Sequence, residues 1–259
     1  MHPFLGLLKK DYRLSRSNLL TFSVLLVLLL IVGVIVSSYT KQPAGTLAIL
    51  LLAGFSMIGF IPGMMLSFLT KEGKNQMWLY SPRSSYTLLF SKLLLLIIYQ
   101  ALLQFILIGY LAFSMYFFGV DVYQQLDISA FIQLGSFLYF FAIGIGLYLT
   151  GWVTLYWMIY HSLSNYPKVR YFRWLLIILI FFSYNILETL LLKIAWISDL
   201  ITRYHFSITS NPFLDYDGAL WNIVFENIQV PLIPVIYYLL LTGLLYYLSA
   251  RLLSKKVEV

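Results

Sequence analysis

Cysteine is absent from the 259 residues, which excludes disulfides and thiolate metal sites. Charge is scarce as well, with Asp, Glu, Lys and Arg together making up 10% of the chain. What fills the sequence instead is apolar. The hydrophobic share is 61% and the mean hydropathy +0.86, where a soluble domain runs at roughly 45–50% apolar. A soluble fold of this length has no interior large enough to hide that surface, whereas a chain dissolved in lipid does not need one.

The apolar residues fall in long runs. A hydrocarbon core about 30 Å thick takes about 20 helical residues at about 1.5 Å each. Six spans are expected, over 19–38, 46–69, 88–118, 130–160, 174–192 and 231–253. The third and fourth exceed the bilayer and should tilt or project beyond it. A strand barrel would alternate polar and apolar residues in short pieces, and continuous runs such as Val24–Ile35 exclude that pattern. The first run is too long for the core of a signal peptide, and no small-residue cleavage pattern follows it, so it reads as a retained anchor. The fold class is therefore an all-α membrane protein, one transmembrane domain over 1–259 without a soluble domain at either end.

The few charges are unevenly placed. Lys9, Lys10, Arg13, Arg16, Lys71, Lys74, Arg83, Lys92, Lys168, Arg170, Arg173, Arg251, Lys255 and Lys256 account for 14 of the 17 basic residues. All lie in the termini, in alternate connections or, for Lys92 and Arg251, just inside the adjoining span ends, with only Asp11, Glu72 and Glu258 beside them. The other connections hold Asp121, Asp127, Asp199, Asp215, Asp217 and Glu226 against Lys41 and Arg203. Basic residues favour the cytoplasmic side, so both termini are expected in the cytoplasm. The net charge of +7 is thus mostly topological, and nucleic acid is not expected as a partner.

The N-terminal segment 1–18 reads as an amphipathic interfacial helix. At about 100° per residue, Phe4, Leu5, Leu7, Leu8, Tyr12 and Leu14 tend to one face and Lys9, Lys10, Arg13 and Arg16 to the other. Asp11 interrupts the apolar arc. Such a helix should lie on the inner leaflet before turning into the first span.

Between spans two and three, Gly73 permits a helix break. Gln76–Tyr80 can form a short helix with Met77, Trp78 and Tyr80 as anchors, and Ser81-Pro82 suits the start of the next helix. The same residues also suit an ordinary interfacial loop, with Trp78 and Tyr80 at headgroup level.

Lys71-Glu72-Gly73, then Leu79, Ser81-Pro82 and Ser91-Lys92 resembles the pattern in permease subunits of ABC-2-type transporters. In that family a basic-acidic-glycine cluster ends the second span, a Ser/Thr-Pro pair follows, and a lysine enters the third span. The motif covers about 25 residues, while the six-span architecture and the basic N-terminal helix extend the likeness over nearly the whole chain. Lys74, Asn75 and Gln76 depart from the family's pattern. The resemblance implies that Lys71, Glu72, Gly73, Lys74, Met77, Trp78, Leu79, Tyr80 and Pro82 form a segment that docks on a separate ATP-binding subunit. It implies a second permease copy or paralogue, and ATP and Mg bound by the partner ATPase. This chain has no G-x-x-x-x-G-K-[ST] loop, so it is not expected to be an enzyme or to bind a cofactor itself. The implied function is export of an amphipathic or hydrophobic cargo (peptide, antimicrobial or lipid-like) across the cell membrane, multi-pass and bacterial. A stand-alone immunity or sensor protein that binds a toxin or peptide without pumping it is the alternative.

Other polar and small residues need placing. Gly59, Pro62 and Gly63 form a G-x-x-x-G pattern with a kink-prone proline, suited to close packing within one subunit, to a dimer seam or to a moving gate. Ala142, Gly146 and Thr150 repeat the small spacing in span four. Glu188 sits within span five, about 15 residues and hence about 22 Å along it. It either reaches the outer headgroups or a structural partner, or faces a polar cavity or the cargo. The outer segment 195–230 reads as two short helices, the first through Ile197, Leu200, Ile201 and Tyr204 towards Asn211-Pro212, the second over Leu220–Ile228. His2, His161 and His205 have no metal-ligand spacing, and Asp215-x-Asp217-Gly218 lacks the remaining calcium ligands.

Overall fold

The computed structural model describes residues 3–75, 84–118, 128–216 and 221–254. Six of its helices are long and apolar enough to cross a membrane. They are α1 (Pro3–Thr40), α2 (Ala44–Asn75), α3 (Ser85–Phe118), α4 (Ile128–Ser162), α5 (Arg173–Leu192) and, at the C-terminal end, α7 (Leu232–Leu252). Each contains or closely matches one of the apolar runs. Two single-turn 3-10 helices, Leu163–Asn165 and Arg170–Phe172, connect α4 to α5.

Two expected breaks are absent. α1 is one helix of 38 residues, so the N-terminal segment continues into the first span without a turn. Nothing between Arg16 and Leu19 is a helix breaker: Ser17 and Asn18 are tolerated inside a helix, and neither Gly nor Pro intervenes. Likewise α2 passes through Gly73 and ends at Asn75. A single glycine costs a helix only about 1 kcal/mol, and the adjacent Lys71 and Glu72 are held by tertiary bonds described below.

The outer segment is also corrected. A helix does form over Ala195–Arg203 (α6) but stops there. His205–Tyr216 (β1) and Trp221–Pro231 (β2) then pair as an antiparallel hairpin, with a register shift between Thr209 and Asn211. Where the second short helix is expected over Leu220–Ile228, the described residues Trp221–Ile228 are thus a strand. Trp221, Ile223, Val224, Phe225, Ile228 and Val230 are the aromatic and β-branched residues that suit a pleated surface, and the sequence supplies few strong helix formers against them. Leu232 N–H donates to the Tyr204 carbonyl at 2.9 Å, closing the hairpin's base. A lone two-stranded hairpin is marginal in water, and this one leans on α4, where Phe206 meets Phe137 edge-on.

The core lies where α1, α2 and α3 pack together, with α4 and α7 closing over it. Met57, Ile61, Met65 and Phe68 of α2 and Leu96, Tyr99 and Leu103 of α3 are buried there, beside Met158 of α4. Gly33 of α1 leaves no room for a side chain, because the Tyr110 hydroxyl of α3 occupies the place a Cβ would take. That hydroxyl donates to the Leu30 carbonyl at 3.1 Å. At the end remote from the N-terminus, Ser37 Oγ accepts from the Thr46 backbone N–H at 2.8 Å, satisfying a first-turn donor of α2. Thr46 Oγ1 in turn meets Ser114 Oγ of α3 at 2.5 Å. By contrast α5 contributes no buried residue. In a bilayer such a helix faces lipid over most of its surface, and most of its residues are apolar.

Candidate functional site

At the N-terminal end of the bundle, four charged side chains from three helices converge. Lys92, near the start of α3, places Nζ 3.3 Å from Asp11 Oδ1 and 3.0 Å from Glu72 Oε2. Lys10 Nζ reaches Glu72 Oε1 at 2.7 Å and lies 3.9 Å from Asp11 Oδ1. Ser91 donates to Asp11 Oδ2 at 2.7 Å. Asp11, Ser91 and Lys92 are buried, as is Glu72, while Lys10 keeps 34% of its side chain exposed. Two carboxylates and two ammonium groups balance in charge, and every carboxylate oxygen has a donor. This is the condition under which buried ions are tolerated.

The local sequence explains how the groups meet. Lys10 and Asp11 are consecutive, so they diverge by about 100° around α1, and Lys10 reaches Glu72 of α2 while Asp11 reaches Ser91 and Lys92 of α3. Lys92 enters the helix bundle beneath the Phe68 ring, with Nζ 5.9 Å from its centroid. One turn deeper, Ser15 Oγ meets Tyr99 Oη at 2.9 Å. Beside this, Lys71 Nζ donates to the Leu14 carbonyl at 3.2 Å and to Asn18 Oδ1 at 3.1 Å, and Asn18 Nδ2 donates to Ser67 Oγ at 2.5 Å. The last turns of α2 are therefore fastened to α1 and α3 by a ladder of polar bonds.

The structure thus brings Lys71, Glu72, Ser91 and Lys92 together. Glu72 is not on an outward face, since its carboxylate is committed to Lys92 and Lys10. Gly73 is half-buried and Lys74 exposed at the end of α2. Met77, Trp78, Leu79, Tyr80 and Pro82 lie outside the described residues. Asp11 and Lys10 are the members that sequence reading missed. The signal was there: an acid inside the apolar arc of an amphipathic helix needs a buried cation, and Lys92 is a cation inside an apolar run.

Gly59, Pro62 and Gly63 lie within α2, which continues through the proline. A Cβ at Gly59 or Gly63 would meet nothing within 4 Å; with Asn18, Phe22 and Ser56 they line an open groove between α1 and α2. The G-x-x-x-G pattern therefore makes no close packing within the subunit. The small residues of α4 do: a Cβ at Gly151 would lie 3.2 Å from Leu245 of α7, and one at Gly146 would lie 3.5 Å from Gln100 Oε1. Gln100 is fully buried, and its amide oxygen and nitrogen have no partner among the described residues.

Glu188 is held apart from all of these. Tyr238 of α7 donates to its Oε1 at 2.7 Å. Among the described residues no group of three or more His, Cys, Asp or Glu side chains could hold a metal ion.

These features define a multi-pass helical membrane protein with an ion-paired cluster at one end of its bundle. No family model matches the chain. It is similar to a Bacillus subtilis (strain 168) protein described as uncharacterized protein YhcE, 29% identical over 265 residues that cover 100% of both chains. No solved structure matches.

Proposed function

We propose that this chain is the permease subunit of an ATP-driven exporter of the ABC-2 type, in a bacterial cell membrane with both termini in the cytoplasm. The observation that carries the reading is the convergence of Glu72, Ser91 and Lys92, three of the residues on which the family resemblance rests, with Lys10 and Asp11 of the N-terminal helix. A separate ATPase docks on the segment that follows α2. Because the end of α2 is fastened to α1 and α3, a displacement of that segment moves three helices together rather than bending one. Buried ion pairs suit such mechanical coupling, because they resist separation strongly once formed, although they add little net stability over apolar packing. A second permease, identical or paralogous, completes the pathway, and the cargo is amphipathic or hydrophobic. ATP and Mg belong to the partner.

The test is affinity purification of the tagged chain from mild detergent, with mass spectrometry of what accompanies it. An ATP-binding subunit in near-equal amount is the expected result. A clean chain across several detergents overturns the exporter and leaves a stand-alone immunity or sensor protein.

A further inference from the structure

Glu188 is an acid inside an apolar helix with no ion-pair partner among the described residues. Its only hydrogen-bond donor among the described residues is the Tyr238 hydroxyl. The outer cations Lys41, Lys193 and Arg203 are all described, and none pairs with it. An unpaired carboxylate at membrane depth is expensive and marks a functional position by default. The N-terminal cluster, by contrast, pairs each of its acids with two ammonium groups.

Tyr238, which holds Glu188, belongs to an aromatic cluster. Tyr238 packs edge-on against Tyr148 of α4 with centroids 5.1 Å apart, and against Tyr237 at 5.2 Å. The Tyr148 hydroxyl donates to that of Tyr184 at 3.4 Å, and Tyr184 meets Tyr237 at 3.4 Å. Trp152 closes the row, its ring 4.7 Å from that of Tyr184. Three helices thus contribute five electron-rich rings, linked ring to ring back to Tyr238 and, through its hydroxyl, to one carboxylate. The site is open sideways: Tyr237 and Tyr238 each keep 38% of their surface, and no residue of α5 is buried.

We propose that Glu188 and these rings form a binding site for a lipid-soluble organic cation that arrives from within the bilayer. The carboxylate supplies the countercharge, and the ring faces supply the cation–π attraction that favours diffuse, weakly hydrated cations over sodium or potassium. A compact metal ion would demand several oxygen ligands at short range, and the site offers one carboxylate. As a cargo site it rests on the exporter reading; as a cation site it does not.

The experiment uses the full chain, purified without any ATPase and reconstituted in phosphatidylcholine nanodiscs, so that its outcome is independent of whether an ATPase co-purifies. Radiolabelled tetraphenylphosphonium is the probe, with empty nanodiscs subtracted. Saturable binding is expected. Glu188→Gln should weaken it by about tenfold or more, whereas Glu188→Asp should hold affinity within about threefold, as expected for a partly desolvated charge contact. Triphenylphosphine oxide, aromatic but neutral, should not displace the probe from the unaltered protein. Binding no greater than that of empty nanodiscs overturns the proposal. So does displacement by the neutral compound, an arm that needs no variant to fold, or unchanged affinity in a monodisperse Glu188→Gln.

Discussion

Lys92 and Asp11 stand 81 positions apart in sequence, yet Nζ and Oδ1 meet at 3.3 Å with both side chains almost wholly buried. Their contact fixes the N-terminal helix to the third span, and Glu72 extends it to the second. Removing one member leaves the others charged in a poor solvent. Lys92→Met should therefore cost about 3–5 kcal/mol, read as an earlier thermal loss of the monodisperse peak in detergent. Adding Asp11→Leu to that variant should recover much of the loss, because the remaining Glu72 and Lys10 pair with each other. Additive losses in the double variant would deny that the two residues act as one unit.

Gly33 is defined by what approaches it. Gly33→Ala places a methyl group where the Tyr110 hydroxyl sits, and overpacking of this kind costs about 1–3 kcal/mol. Tyr110→Phe in the same chain withdraws the hydroxyl and should restore part of the stability. The comparison of the four proteins by thermal unfolding checks it.

Gln100 invites a change in the opposite direction. Both amide atoms are buried without partners among the described residues, and a buried unsatisfied polar group costs about 1–3 kcal/mol. Gln100→Met, close in volume and apolar, should stabilise the protein. A loss of stability instead would mean that the amide is satisfied, for example by internal water.

Topology is directly measurable, because the chain has no cysteine to remove first. Single cysteines at Lys41, Lys9 and Lys168 should divide cleanly. A membrane-impermeant maleimide should label the first in intact cells and the other two only after permeabilisation. The reverse pattern would invert the orientation drawn from the basic residues.

If the exporter reading holds, Trp78→Ala should leave insertion and stability unchanged while cargo-stimulated ATP hydrolysis by the complex falls. Lys92→Met should lower both stability and coupling. The two variants together separate the docking segment from the cluster that fastens it.

Much of the architecture was legible because hydrophobic length is a strong one-dimensional signal. All six apolar runs became helices with ends within a few residues of the expected ones, except where α1 and α2 extend past the run. Those extensions escaped notice because Ser17, Asn18 and Gly73 are weak interruptions that neighbouring helices override. The hairpin escaped for a different reason: strand pairing is made between residues up to 26 positions apart, His205 to Pro231, and a short amphipathic stretch reads equally well as a helix. Of the candidate sites, Lys71, Glu72, Ser91 and Lys92 were visible as a motif, but the pairing of Glu72 with Lys92 and the bonds of Lys71 and Ser91 to α1 were not.

Composition and the order of residues were enough to place this chain in a bilayer, to set how many times it can cross, and to show which of its connections carry the basic charge. Those properties follow from composition and from the length of apolar runs, which lipid thickness converts directly into structure. Which charges are buried, and with whom, depends on how the helices pack. Asp11 became part of a four-member ion cluster, Gln100 a buried amide without a partner among the described residues, and Glu188 an acid held by one tyrosine hydroxyl, because the free energy of a polar group in lipid depends on its partners, and partners come from distant helices.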